Sequence, residues 1–218
     1  MPQRPIRSFV RRAGRMTPGQ RRALDELWPT YGIDYEEQPI DFARCFGNTN
    51  PVALEIGFGD GALLVEMAAR DPGINFLGVE VHEPGIGHCL LEIQSHELAN
   101  VRVICHDATE VLKDQIHDAS LSAVNLFFPD PWPKKRHHKR RIIQGGFLQL
   151  LASKLKSGGR LHIATDWSDY AEHIQDIAGK EDAFMLAGTG RGERPRSKFE
   201  SRGMALGHSI FDFQYVRK

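Results

Sequence analysis

Between residues 51 and 178, short apolar runs alternate with stretches whose apolar side chains recur every three or four positions. The runs 52–56, 75–81, 101–105, 123–128 and 160–165 are too short for helices and predict strands. The stretches 62–70, 85–98, 108–115, 142–155 and 170–178 carry the helical period. In the fourth of these, Ile142, Ile143, Phe147, Leu150 and Leu151 share one side. Asp71-Pro72-Gly73 and Ser157-Gly158-Gly159 mark turns. Residues 211–216 alternate apolar and polar and predict a last strand. Upstream, Thr17-Pro18 reads as a helix cap with proline in the first turn. A short helix follows, with Leu24, Leu27 and Trp28 as its apolar side. Residues 29–50 read as irregular connection, punctuated by Pro29, Gly32, Pro39 and Asn48. The reading is a flexible basic arm over residues 1–20 and a single domain over 21–218. Five strand–helix units in series imply an α/β fold, with a mostly parallel sheet and helices on both faces.

Composition narrows the class. The 218 residues are 41% hydrophobic and 26% charged, as in a folded chain. No run of about 18 apolar residues is present to span a bilayer, so no membrane association is expected. The basic N-terminus lacks the apolar stretch of a secretory signal. Cys45, Cys89 and Cys105 have no CxxC spacing and read as reduced thiols of a cytoplasmic protein. His82, His88 and His96 do not space as a ligand set, so no metal is expected.

The formal net charge of zero conceals a strong segregation. Residues 1–22 carry seven arginines and no acid, and residues 134–141, KKRHHKRR, carry six cations and no acid. Elsewhere 15 basic residues face 28 acidic ones. A weaker cluster comprises Arg191, Arg194, Arg196, Lys198 and Arg202. Cations gathered in this way on an acidic body are the footprint of a polyanion-binding face.

Acids recur where the strands end. Glu55, Glu80, Asp107, Asp130 and Asp166 fall at or just past the carboxyl ends of the five strands, where open α/β sheets bind ligands. One such acid is a turn former or a helix cap; five at equivalent positions make a site. The loop Gly57-Phe58-Gly59-Asp60-Gly61 lets backbone approach a ligand, beginning at Gly57. It departs from GxGxxG, and Asp60 and Glu55 oppose a phosphate. A cationic cofactor without phosphate fits better, and S-adenosyl-L-methionine has that chemistry. Glu80 suits its ribose hydroxyls, Asp107 its adenine amino group, and Asp130 the point where methyl donor meets acceptor. The cationic octamer begins four residues after Asp130, placing Lys134 beside that point with Arg136, His137, His138, Lys139, Arg140 and Arg141 beyond it. Such cations position RNA by its phosphates. Trp132 reads equally as a stacking platform for a base or as a packing anchor. Asp166 reads as a base-edge acceptor or as a cap for the next helix.

ALEIGFGDG, GVEVH, HDATE, FFPDPWPKKRHHKRRI, HIATDW and SKFESRG follow one another in this order. Together they resemble the bacterial tRNA (guanine-N7-)-methyltransferase family over about residues 7–217. The PDPWPKKRHHKRR stretch is the most specific part. The resemblance implies a class I, Rossmann-like methyltransferase with a seven-stranded sheet, which methylates a guanine in the variable loop of tRNA. It implies cofactor contacts for Glu55, Glu80, Asp107 and Asp130, with Asp130 also catalytic. It implies substrate contacts for Lys134, Asp166, Ser197, Lys198, Phe199 and Glu200, and RNA contacts along Arg136–Arg141. The family usually has threonine where Ser197 stands, and the hydroxyl is kept.

Two other classes make different demands. A nicotinamide-dependent dehydrogenase requires a hydride-relay residue and a phosphate-friendly loop, and neither is evident. A non-catalytic RNA-binding protein predicts loss of the cofactor acids, yet all are present. Monomer and homodimer are both left open by the sequence.

Overall fold

A computed structural model describes residues 7–9 and 14–218. Half of the expected arm, residues 1–6 and 10–13, lies outside the described residues. Its last three residues are already helical. In chain order the elements are α1 (Pro18–Tyr31), β1 (Gly32–Ile33), α2 (Phe42–Phe46), β2 (Val52–Ile56), α3 (Ala62–Arg70), β3 (Asn75–Glu80), α4 (Glu83–Ser95), β4 (Val101–Cys105), α5 (Ala108–Asp114), β5 (Leu121–Phe127), a 3-10 helix (Lys135–Arg140), α6 (Gly145–Lys154), β6 (Leu155–Thr165), α7 (Ser168–Ala178), β7 (Phe184–Thr189), α8 (Lys198–Ala205) and β8 (Phe211–Arg217).

The strands form one sheet in the order β1-β4-β3-β2-β5-β6-β8-β7. All neighbours are parallel except β6 with β8 and β8 with β7. The order reverses at β2, which has β3 on one side and β5 on the other. Loops leaving those strands diverge there, opening a crevice at the carboxyl edge.

The sheet has eight strands, against the seven expected. The extra one, β1, pairs only Gly32 and Ile33 with Val103 and Ile104. Two residues are too few to show an alternation. The region 29–50 is also more ordered than its punctuation implies. α1 runs through Pro29 to Tyr31, and the Gly32 N–H closes its last turn on the Trp28 carbonyl. The indole Nε1 of Trp28 donates to Asp34 Oδ1 at 2.9 Å. At the other end, Thr17 and Gln20 form a reciprocal capping box.

Apolar layers cover both faces. Leu54 and Ile56 of β2 pack with Val111 of α5, Leu148 and Leu151 of α6 and Ile174 of α7. Ala53 faces the opposite layer, with Leu64 of α3, Leu90 of α4 and Ala23 of α1. Strand alternation puts Glu55 on the same side as Ala53, at the top of that layer.

Candidate active site

The crevice holds a cavity of about 450 Å³, lined among others by Gly57, Gly59, Glu80, Asp107, Asp130 and Phe199. Backbone conformation explains the glycines of the loop after β2. Gly57, Gly59 and Gly61 stand at φ +71°, +64° and +81°, the left-handed region that favours glycine. A Cβ on Gly61 would also lie 2.3 Å from Cys89 Sγ of α4. Glu80 braces this loop. Its Oε2 accepts from the Gly59 N–H at 2.9 Å, and its Oε1 accepts from the N–H groups of Val81 and His82 at 2.6 and 3.0 Å.

Glu55, near the end of β2, does not line the cavity and is only 3% exposed. Its Oε2 is buried with no hydrogen-bond partner among the described residues. Burial, then the neighbouring Glu80 charge, pushes its pKa up to about 8, against the pull of Arg194. Asp107 caps α5, its Oδ1 accepting from the Thr109 N–H at 2.9 Å. Asp130 is exposed on the cavity wall. Three acids around one cavity, Glu80, Asp107 and Asp130, with the buried Glu55 carboxyl next to Glu80, fit a cationic ligand that also presents hydroxyl and amino donors. The donor set therefore fits S-adenosyl-L-methionine and opposes a dinucleotide pyrophosphate.

The segment from Phe128 to Trp132 carries Asp130 on an unusual backbone. Phe128 and Trp132 both adopt positive φ, +53° and +47°, an outlier conformation for bulky residues. Such strain persists only when surrounding contacts over-determine it. Four contacts do so here. The Phe128 N–H donates to the Ala164 carbonyl at 2.8 Å. The indole Nε1 of Trp132 donates to the Ser8 carbonyl at 3.0 Å, and Arg140 covers the Trp132 ring at 5.0 Å. Arg141 Nε donates to the Pro131 carbonyl at 2.9 Å. Of the two readings of Trp132, these contacts favour the packing anchor.

The cationic octamer is split by these contacts. Lys134, Lys135, Arg136 and Lys139 are exposed. Arg141 belongs inside: its side chain is 1% exposed, pairs with Asp169 and covers the Tyr170 ring at 4.8 Å. Placing it on the RNA surface is therefore corrected, because every direction of its guanidinium is already occupied by protein. His138 lies 3.2 Å from Arg141 Nη2. His137 packs edge-on against Trp132; partial desolvation, then the cations around it, hold its pKa below the usual imidazole value.

α8 reaches over the cavity from the far side of the sheet. Phe199 is 60% exposed at the cavity rim and stacks on Phe128 at 6.5 Å. Lys198 Nζ meets Asp60 Oδ2 of the glycine loop. Ser197 does not point at the cavity but caps α8, its Oγ accepting from the Glu200 N–H at 2.9 Å. Glu200 is buried and committed to Arg194, whose Nη1 donates to its Oε2 at 2.8 Å. The direct substrate contact that the resemblance implies for Glu200 is corrected on that ground. Asp166 does not line the cavity and lies 3.0 Å from His208 Nδ1.

Arg194 is the residue that the sequence hides. It stands in what reads as a surface cluster, yet its side chain is 1% exposed. Nε and Nη2 donate to the two carboxylate oxygens of Asp212 at 3.1 and 3.0 Å. His162 also binds Asp212 Oδ1, at 2.8 Å. The guanidinium covers Phe127 and Phe128 at 5.2 and 5.5 Å. One cation thus joins β8, α8 and the end of β5, from which the Asp130 loop leaves. Ser8 and Phe9, also unforeseen, line the cavity.

Among the described residues no group of three or more His, Cys, Asp and Glu side chains is placed to hold a metal ion. No helix among them is long and apolar enough to cross a membrane.

Comparison with known proteins agrees with this geometry. Residues 49–213 match the family described as "Putative methyltransferase". A tRNA (guanine-N(7)-)-methyltransferase of Alkalilimnicola ehrlichii is 53% identical over 223 residues, covering 99% of this chain and 94% of its own. Two solved structures share the fold. The 16S rRNA methyltransferase KamB has a TM-score of 0.59 at 11% identity, covering 83% of this chain and 95% of that one. A Haemonchus contortus phosphoethanolamine N-methyltransferase in complex with S-adenosyl-L-methionine has a TM-score of 0.52 at 16% identity, covering 92% of this chain and 60% of that one.

Proposed function

The chain belongs to the tRNA (guanine-N7-)-methyltransferase family, and from that premise we propose that it methylates N7 of a guanine in the variable loop of tRNA, forming 7-methylguanosine. The observation that carries this reading is one cavity walled by Glu80, Asp107 and Asp130, with exposed cations on the segment that follows Asp130. A single domain over residues 21–218 does the chemistry, preceded by a basic arm, and it acts in the cytoplasm.

S-adenosyl-L-methionine, when bound, supplies an electrophilic methyl group on a sulfonium. Glu55, Gly57, Glu80, Asp107 and Asp130 would hold it. Guanine N7 already carries an in-plane lone pair, so no proton is removed before attack and no general base is needed. The residues therefore work by position and charge. Asp130, on its pinned loop, opposes the positive charge that grows on the purine. Phe199 at the rim offers a ring face to the base. Lys134 and Asp166 meet the nucleotide from the carboxyl edge, while Arg136, His137, His138, Lys139 and Arg140 meet the RNA around it. Lys198 approaches from α8. Ser197, Glu200 and Arg141 act through the elements they fasten.

The test combines purified protein, methyl-labelled S-adenosyl-L-methionine and an unmodified tRNA transcript, followed by nucleoside analysis. 7-Methylguanosine confined to the variable loop is expected. Label in another nucleoside or loop overturns the substrate; no label with cofactor and tRNA both bound overturns the reaction.

A further inference from the structure

A second groove, of about 480 Å³, continues from the cofactor cavity over α5 and α6 and shares Ser8, Asp107 and Ile142 with it. Arg7, Lys113, Lys139 and Arg140 stand along it. Among the described residues none of these four side chains has a carboxylate partner. Arg7 and Arg140 lie over the rings of Phe9 and Trp132 at 5.6 and 5.0 Å, which leaves their N–H donors available. Lys113 and Lys139 are exposed.

The acids of the groove are already engaged. Asp107 caps α5, and Glu110 Oε2 lies 2.6 Å from His106 Nε2. Arg141, the fifth cation on the wall, is neutralised by Asp169. What remains is an open groove with an excess of positive charge, Arg7, Lys113, Lys139 and Arg140 against Asp107 and Glu110, that begins where the cavity ends. Exposed cations spread along an open groove suit an extended polyanion; a lone small anion calls for enclosed, convergent donors.

We propose that this groove holds the sugar–phosphate backbone flanking the nucleotide that enters the cavity, with Lys113 and Arg7 as phosphate contacts. The inference rests on the reading of the substrate as tRNA. The bond from Trp132 to Ser8 fixes the junction of groove and cavity, so a backbone lying in the groove is in register with the Asp130 loop. Lys113 sits on α5, well apart in sequence from the cationic octamer, and only the fold brings the two together.

The test compares Lys113→Glu and Arg7→Glu with Lys156→Glu, an exposed lysine at the amino edge of the sheet. The readouts are tRNA affinity across a salt series, KM for tRNA and cofactor affinity. Each groove variant is expected to weaken tRNA binding about fivefold or more at low salt. It should also flatten the dependence of log affinity on log salt by about one contact, leaving cofactor affinity unchanged. Lys156→Glu should leave both affinity and slope in place. Groove variants that match Lys156→Glu overturn the proposal. A wild-type protein that binds tRNA without methylating it strikes the proposed reaction instead, because the groove is read by binding alone.

Discussion

Lys198 Nζ stands 2.7 Å from Asp60 Oδ2, joining the first residue of α8 to the glycine loop after β2. The pair spans the cavity rim beside Phe199. Each partner shifts the other: Lys198 is raised, first by its bond to Asp60, and Asp60 is lowered by Lys198 and the Ala62 N–H despite the opposing effect of burial. With side chains 71% and 40% exposed, the pair adds at most about 1 kcal/mol to stability. Its value lies in where it is. Lys198→Ala is expected to speed cofactor dissociation several-fold while shifting Tm by no more than about 4 °C. Stopped-flow release measures this, and an unchanged off-rate with an unchanged Tm removes the pair from the cofactor's retention.

Asp130 makes a separate demand. If its carboxylate opposes charge on the purine, the loss must fall on the transition state and not on RNA binding. Asp130→Asn keeps the size, removes the charge and exchanges one acceptor oxygen for an amide donor. It is expected to lower kcat by about 100-fold or more, by the usual worth of one electrostatic contact in a catalytic site, with tRNA affinity within twofold of wild type. Single-turnover methylation and filter binding separate the two, and a normal single-turnover rate would refute the catalytic assignment.

Glu55 should be visible in the pH dependence of stability. Its pKa is raised to about 8, chiefly by burial, whereas an unfolded glutamate titrates near 4.5. Between these values the unfolded chain has released a proton that the folded chain retains. Stability from this group is therefore fully present below about pH 4.5 and is lost as pH rises through about 8. Glu55→Gln removes that loss. The variant's Tm is expected to gain on wild type from pH 5 to pH 8.5, while its cofactor affinity falls. A Tm difference that stays flat with pH contradicts this account of Glu55.

The strands and their terminal acids were legible because burial in a parallel sheet imposes near-continuous apolar runs, and Glu55, Glu80, Asp107 and Asp130 interrupt or follow those runs. β7 escaped because only Phe184 of its six residues is buried. α8 escaped because its buried residues, Glu200 and Gly203, give no apolar period. The octamer shows a sharper limit. Arg140 and Arg141 are neighbours with opposite fates, one covering Trp132 near the surface and one sealed against Asp169 and Pro131. Nothing local distinguishes them, since the partners of Arg141 come from α7 and the Asp130 loop. Arg194 is the same case at longer range. Its partner Asp212 arrives only when β8 inserts between β6 and β7.

That dependence makes Arg194 the most consequential single substitution outside the cavity. Arg194→Gln keeps a polar side chain but leaves buried Asp212 with His162 alone and buried Glu200 with only Arg191, at 3.5 Å. Breaking one partner of a buried ion pair costs about 3–5 kcal/mol, or roughly 10 °C in Tm for a chain of this size. The pH profile identifies the cause. Asp212 is held below the usual carboxylate value by its bonds to His162 and Arg194, which outweigh the opposing effect of burial. A depressed carboxylate contributes stability above its unfolded pKa and loses it as pH falls through its folded one. In Arg194→Gln this contribution shrinks, so stability should decline less steeply from pH 6 to pH 3 than in wild type. Denaturant titrations across that range measure it. A variant that loses stability equally at every pH would assign Arg194 a packing role on Phe127 and Phe128 instead of an electrostatic one.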